Sequence, residues 1–141
     1  MTKTFRGLKE PSRRIGLFTE SLYSSKVMVQ YGGNPKEMRR HLVRENMLHK
    51  KAGLEMPTYD SLGAYYDLGG RDYAIWISDR DKDRDIEIAS AVAHESLHVT
   101  MCIMREIGCP NGKSSEEPYC YYLSWLTDRI FKMIKEIEND K

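Results

Sequence analysis

Short apolar runs bounded by glycine and polar residues predict the strands of this chain. The first run, Val-Met-Val-Gln-Tyr at 27–31, ends at a pair of glycines. Two more runs, 62–67 and 73–77, are separated by a Leu-Gly-Gly-Arg segment. Because glycines between aromatic and aliphatic runs are typical of a tight turn, these two runs form a predicted β-hairpin. We therefore expect a small antiparallel sheet.

Three longer segments have the spacing and the end signals of helices. The first begins at Asn34-Pro35, a cap followed by proline at the first helical position, and is expected to reach Lys51. The second follows an acidic turn at 79–85 and is expected to stop at Gly108. The third begins after a cap at Ser115. Its apolar stripe consists of Leu123, Leu126, Ile130, Met133 and Ile137. The predicted fold class is α+β with three main helices.

The second helix carries the clearest chemical motif, His-Glu-Ser-Leu-His at 94–98. This helix is apolar on most faces between 86 and 104, so it is expected to be the buried central helix. Residues four apart share a helix face with Cβ atoms about 5–6 Å apart, so His94 and His98 can bind one Zn²⁺. Glu95 lies beside the first ligand and can take a proton from water activated by the metal.

A catalytic zinc site needs a third protein ligand and an open position for water. An extended motif with a further histidine is absent, because Met101 and Met104 stand where its glycine and histidine would be. Glu116 and Glu117, at the start of the third helix, are the candidates, with Glu117 favoured. Acidic residues in a first turn also stabilise the helix dipole, which is the competing explanation. Tyr121 is a candidate for stabilising the transition state.

Length and composition indicate one domain. The chain has 141 residues, of which 40% are hydrophobic and 30% charged, enough for a core of its own. Residues 1–14 are expected to form a basic flexible arm, followed by a single domain over 15–141. No apolar run is long enough to span a bilayer, and no secretory signal is recognisable. Without Cys-x-x-Cys spacing, a disulfide scaffold is not expected and a cytoplasmic setting is natural. The cysteines are Cys102, Cys109 and Cys120.

The net charge of +1 hides an uneven distribution. Residues 1–52 hold 12 basic and 4 acidic residues, whereas residues 53–141 hold 10 basic and 17 acidic ones, giving +8 and −7. A basic cluster in the first part is a candidate surface for an anionic partner, although no nucleic-acid motif accompanies it. Its members are Arg39, Arg40, Arg44, Lys50 and Lys51.

Two other patterns are discounted as metal sites. One pattern has a His or Glu every four residues, at His41, Glu45 and His49. The simpler explanation is that these side chains lie at the edge of the apolar stripe by which the helix packs. The acidic residues at 79–85 lack the glycine and the final glutamate of a Ca²⁺-binding loop, so they are explained as a solvated helix start.

The motif and the start of the third helix resemble the zincin metallopeptidases, and within them the gluzincins, in which a later helix supplies a glutamate ligand. The segments AVAHESLHVTMCIM and SEEPYCYYLSWL look most like small single-domain metallopeptidases of phages and bacteria. The resemblance covers roughly residues 62–130. It implies that His94 and His98 are zinc ligands. It implies Glu95 as general base and Glu117 as third ligand, in a minimal zincin-like fold whose edge strand pairs with extended peptide.

These residues predict a Zn²⁺-dependent metallopeptidase that hydrolyses peptide or protein substrates, with Glu95 as the general base. Two alternatives stay open. In the first, the chain keeps the zincin fold and the metal but docks a partner without turnover. In the second, it binds nucleic acid through its basic N-terminal half. No membrane partner is expected.

Overall fold

The computed structural model describes residues 2–4, 14–58, 60–80, 85–109, 112 and 116–139. Its strands are β1 (Thr2–Thr4), β2 (Ile15–Glu20), β3 (Ser25–Tyr31), β4 (Gly63–Gly69) and β5 (Asp72–Ile77). Its helices are α1 (Pro35–Arg44), α2 (Asp85–Glu106) and α3 (Glu116–Asn139). The predicted α+β class with three main helices is therefore confirmed.

The described strands form one sheet in the order β1-β2-β3-β5-β4. β2 pairs with β3 and β4 pairs with β5 in antiparallel fashion, as the predicted hairpin requires. β3 and β5 are parallel, so the sheet is mixed, and the expectation of a purely antiparallel sheet is wrong. After β3 the chain passes through α1 to the far edge of the sheet and enters β4 there. After the hairpin turn, the chain runs back as β5, which lies between β4 and β3.

Two strands at the N-terminal end were not predicted. β2 pairs along its length with β3, from Ile15 opposite Gln30 to Glu20 opposite Ser25. Thr2–Thr4 pairs with the first half of β2, so this part of the expected flexible arm is an edge strand. Residues 5–13 of that arm lie outside the described residues.

Alternation along the strands divides the core between the two faces of the sheet. On one face, Val27 and Val29 of β3 and Ile75 of β5 pack with α2 and α3. On the other face, Met28 of β3 and Ala74 of β5 pack with α1. The molecule therefore has α1 on one side of the sheet and the motif-bearing helix on the other.

Helix α1 ends at Arg44, earlier than the expected end at Lys51. Asn46 adopts a left-handed conformation with φ of 59°. The N–H of Met47 donates to the carbonyl of Leu42 at 2.8 Å, and both side chains lie in the core beneath α1. This is a Schellman ending, in which asparagine tolerates the left-handed position and an apolar contact closes the turn. The Asn34 cap was predicted correctly, since its side chain accepts the N–H of Lys36.

Helix α2 ends as predicted, with Gly108 in a left-handed conformation at φ of 75° and the Cys109 N–H bonded to the Met104 carbonyl. It is not buried on all sides, however, because Leu97 and Met101 are exposed. The predicted stripe of α3 is largely confirmed, with its middle members fully buried. Ser115 lies outside the described residues. No helix in the described parts of the chain is both long enough and apolar enough to cross a membrane.

Candidate metal centre

The two histidines of the motif bring their Nε2 atoms together on one face of α2. The distance from His94 Nε2 to His98 Nε2 is 3.2 Å. Two nitrogen ligands at about 2.0–2.1 Å from a tetrahedral zinc ion are about 3.3 Å apart, so the spacing suits a shared metal. The His94 side chain is 68% exposed and is open to solvent. A metal can therefore reach the pair without any rearrangement of the core.

The electrostatic environment of His98 favours the form that binds metals. Burial lowers its pKa, and the neighbouring His94 lowers it further. A neutral imidazole offers an unprotonated nitrogen, whereas an imidazolium has no lone pair for a metal. The lowered pKa of His98 therefore favours its neutral form, which can bind a metal.

Glu95 is the buried member of the motif, with a side chain only 8% exposed. Its Oε1 lies 3.9 Å from His94 Nε2. Its Oε2 is buried and has no hydrogen-bond partner among the described residues. Burial raises the pKa of Glu95, and His94 offsets part of that rise. A carboxylate with raised basicity and an unused oxygen beside two imidazoles has the properties of a general base.

The edge strand β4 lies directly against this part of α2. Tyr65 stacks on His98, with ring centroids 4.4 Å apart and ring planes at 11°. At Gly63, a Cβ atom would lie 2.9 Å from Glu95 Cγ and 3.1 Å from the Trp76 carbonyl oxygen. The strand can therefore approach Glu95 this closely only because residue 63 has no side chain.

Neither Tyr65 nor Gly63 was identified from the sequence. Strand alternation places them on the same face of β4, two residues apart. That alternation was visible in the predicted run 62–67, but nothing in it showed which face would meet α2. The contacts of Tyr65 with His98 and of Gly63 with Glu95 are set by how β4 and α2 pack together in the folded chain.

The candidate third ligands are not brought to the histidine pair. Among the described residues, no group of three or more His, Cys, Asp or Glu side chains is placed to hold a metal ion. Glu116 and Glu117 are exposed at the start of α3. Helix α3 packs on a different side of α2 from β4, and there Ala93 and Thr127 line a groove of about 650 Å³. Tyr121 also lies on α3 and is 73% exposed.

The two discounted patterns are placed apart from this centre. His41 is buried in α1, whereas His49 lies beyond the end of that helix and accepts the N–H of Lys51. The four-residue repeat therefore does not continue along one helix face. Of the acidic run at 79–85, Asp79 forms an ion pair with Arg14 at 2.8 Å. Residues 81–84 lie outside the described part.

The basic cluster lies on the α1 side of the sheet and is partly used within the fold. The Arg39 guanidinium donates to the backbone carbonyls of Ala52 and Lys50, which ties the loop after α1 to the helix. The other four members of the cluster are exposed. They lie on the opposite side of the sheet from α2.

Comparisons with known proteins do not assign a family. No protein-family model matches the chain, and neither the curated proteins nor the solved structures contain a match. Function is therefore inferred from the chemistry and geometry of the centre.

Proposed function

We propose that this protein is a zinc-dependent metallopeptidase of the zincin type. The observation that carries the proposal is the meeting of the His94 and His98 Nε2 atoms at 3.2 Å beside the buried, unpartnered oxygen of Glu95. The two imidazoles supply two of the three protein ligands that a catalytic zinc ion needs, and the carboxylate supplies the base for metal-assisted hydrolysis. We also propose that the α+β fold is zincin-like.

His94 and His98 would hold the metal, and a bound zinc ion would act as a Lewis acid that makes water more acidic and polarises a carbonyl. Glu95, whose Oε1 lies 3.9 Å from His94 Nε2, accepts the proton of the attacking water and then delivers it to the departing amine nitrogen. The buried setting raises the pKa of Glu95 and so increases its affinity for that proton.

The substrate in this proposal is an extended peptide that pairs with the outer edge of β4. β4 is an edge strand of the described sheet, bonded to β5 on one side only. The backbone groups on its other side are in position for strand addition, a common way of binding extended peptides. Because Tyr65 and Gly63 of this strand contact the motif, a peptide bound there would pass close to Glu95.

The third ligand in the proposal is Glu117, which the resemblance to gluzincins favours, with Glu116 as the alternative. Either carboxylate would have to come closer to the histidines than the described placement of α3. Zinc content in Glu117→Gln and Glu116→Gln identifies the ligand, because only the variant that lacks it should lose metal. Full zinc content in both would place the third ligand elsewhere.

The decisive experiment compares Glu95→Gln with the wild-type protein. Zinc content is measured by elemental analysis, and cleavage is measured on a peptide library with a chelator control. The variant should retain zinc and lose at least about 100-fold in cleavage rate, since general-base catalysis contributes that much. His94→Ala should lose both zinc and cleavage.

Three outcomes would overturn parts of the proposal. Cleavage by Glu95→Gln at the wild-type rate would show that the mechanism is wrong. Zinc binding without any cleavage by the wild type would instead favour a docking module that keeps the metal. Steeply salt-dependent nucleic-acid binding would favour the exposed basic cluster as the functional surface.

A further inference from the structure

The imidazole of His98 contacts two aromatic rings. Tyr65 covers one face of the imidazole in a nearly parallel stack, with centroids 4.4 Å apart and planes at 11°. His94 meets it edge-on, with centroids 4.9 Å apart and planes at 70°. The two contacts come from different elements, so the ring plane of His98 is set jointly by β4 and α2.

The usual means of orienting a metal-binding histidine is not seen here. A ligating imidazole ordinarily donates its second ring N–H to a carboxylate or a carbonyl, which fixes its rotation. Within the described parts of the chain, the only hydrogen-bond partner of His98 is His94 Nε2. Rotation about the bond to an aromatic ring has a broad energy profile, so an imidazole without such a partner is poorly fixed by its own torsion. Its ring contacts restrict the rotation instead, and of the two it is the stack on Tyr65 that covers a face of the imidazole.

Tyr65 itself is held by the sheet. It lies opposite Ile75 in the β4–β5 register, and the ladder on that side fixes its backbone. Its neighbour on the same face, Gly63, allows β4 to approach α2 closely. The ring of Tyr65 is thus presented to His98 from a strand whose distance to the helix is already set.

We propose that Tyr65 is a positioning residue for the metal centre, holding the His98 imidazole so that its Nε2 faces that of His94. The inference rests on the proposed function, because it assumes that the two histidines bind zinc. The ring of Tyr65 is the active part, and its hydroxyl is not needed for this role.

Two substitutions distinguish the effect of the Tyr65 ring from the effect of changing a residue in strand β4. Tyr65→Phe keeps the ring, and its zinc affinity should stay close to that of the wild type. Tyr65→Val removes the ring but keeps a residue that suits a strand. Its zinc affinity, measured by competition with a chromophoric chelator, should fall about tenfold, as is typical when a support of a metal ligand is lost.

A second measurement needs no metal. In the chelator-treated protein, the ring protons of His98 should be shifted upfield in NMR spectra of the wild type and of Tyr65→Phe, because they lie over an aromatic face. That shift should disappear in Tyr65→Val, while thermal unfolding reports whether the fold is retained.

The outcomes distinguish this inference from the function on which it rests. If the wild type binds zinc and Tyr65→Val binds it equally well, the positioning role is overturned and the zinc site stands. If the wild type binds no zinc, the proposed function fails, and the positioning role fails with it. A tenfold loss confined to Tyr65→Val supports both.

Discussion

At Gly63 the edge strand β4 packs closely against Glu95, the proposed general base. A Cβ atom there would lie 2.9 Å from Glu95 Cγ and 3.1 Å from a backbone oxygen, and that backbone oxygen cannot move without disturbing the sheet. Gly63→Ala should therefore push β4 away from α2. We expect a stability loss of about 1–3 kcal/mol in urea unfolding, which is the usual cost of overpacking.

The matched control for this substitution is Gly53→Ala. A Cβ atom at Gly53 would meet nothing within 4 Å, and its φ is not in the left-handed region. Its stability should stay within about 0.5 kcal/mol of the wild type. Equal unfolding curves for Gly63→Ala and Gly53→Ala would show that the close approach of β4 is not tight.

His41 gives a pH-dependent contribution to stability. It is buried in α1, and burial lowers its pKa, with Arg44 and Arg40 lowering it further. The unfolded chain then takes up a proton near pH 6.5 that the folded state resists. Stability associated with His41 is therefore present above that pH and is lost as the pH falls toward the folded-state pKa.

Urea unfolding of chelator-treated protein at pH 7.5 and pH 5.5 checks this expectation. The wild type should lose more stability between the two pH values than His41→Gln, which cannot take up a proton at this position. A variant that loses as much as the wild type would assign the pH dependence to other groups.

At the scale of single elements, the end of α1 depends on one backbone conformation. Asn46 has φ of 59°, in the left-handed region. Most residues with a Cβ atom adopt this conformation at a cost in free energy, whereas glycine and, to a lesser degree, asparagine tolerate it. Asn46→Ala should lower the free energy of unfolding by about 1 kcal/mol, whereas Asn46→Gly should leave it nearly unchanged. Denaturant midpoints of the two variants measure the difference. A loss in both would point to the asparagine side chain instead of the backbone.

The elements that could be predicted from the sequence are those whose signals lie within one continuous segment. The 94–98 motif, the Asn34 cap, the Gly108 stop and the β4–β5 hairpin all belong to this kind. Their physical causes, such as side-chain spacing on a helix and the left-handed turn at glycine, act over a few residues.

The features that could not be predicted depend on which segments meet. β2 has few turn signals of its own and is stabilised by pairing with β3. The parallel pairing of β3 with β5 and the stack of Tyr65 on His98 arise only when distant parts of the chain pack together. Whether Glu117 approaches the histidines likewise depends on the side of α2 against which α3 packs. The local spacing of residues does not specify that side.

At the scale of the whole molecule, the core is built without the proposed metal centre. The buried apolar residues that join α2 and α3 to the sheet include neither motif histidine, and His94 is exposed. If the proposed zinc ion is bound, its removal with a chelator should therefore leave the far-ultraviolet circular dichroism spectrum unchanged. The stability should fall only by the binding contribution, about 2.7 kcal/mol when free zinc is one hundred times its Kd.

Thermal unfolding with and without chelator measures this contribution. Loss of the helical signal on adding chelator at room temperature would mean that the metal is a structural requirement for the fold. The same experiment with His94→Ala provides the control, because its stability should not respond to zinc.

The parallel pairing of β3 with β5 also has a consequence for how the chain reaches this structure. β2 and β3 are consecutive in the chain, as are β4 and β5, so each of these hairpins closes a short loop. Pairing of Val27 with Tyr73 must wait until α1 and β4 have been spanned, and closing such a long loop is slow. The two histidines, one turn apart in a single helix, are already neighbours before that step. β4, β5 and α2 are also consecutive, so we expect Tyr65 and Gly63 to reach the motif independently of the β3–β5 pairing.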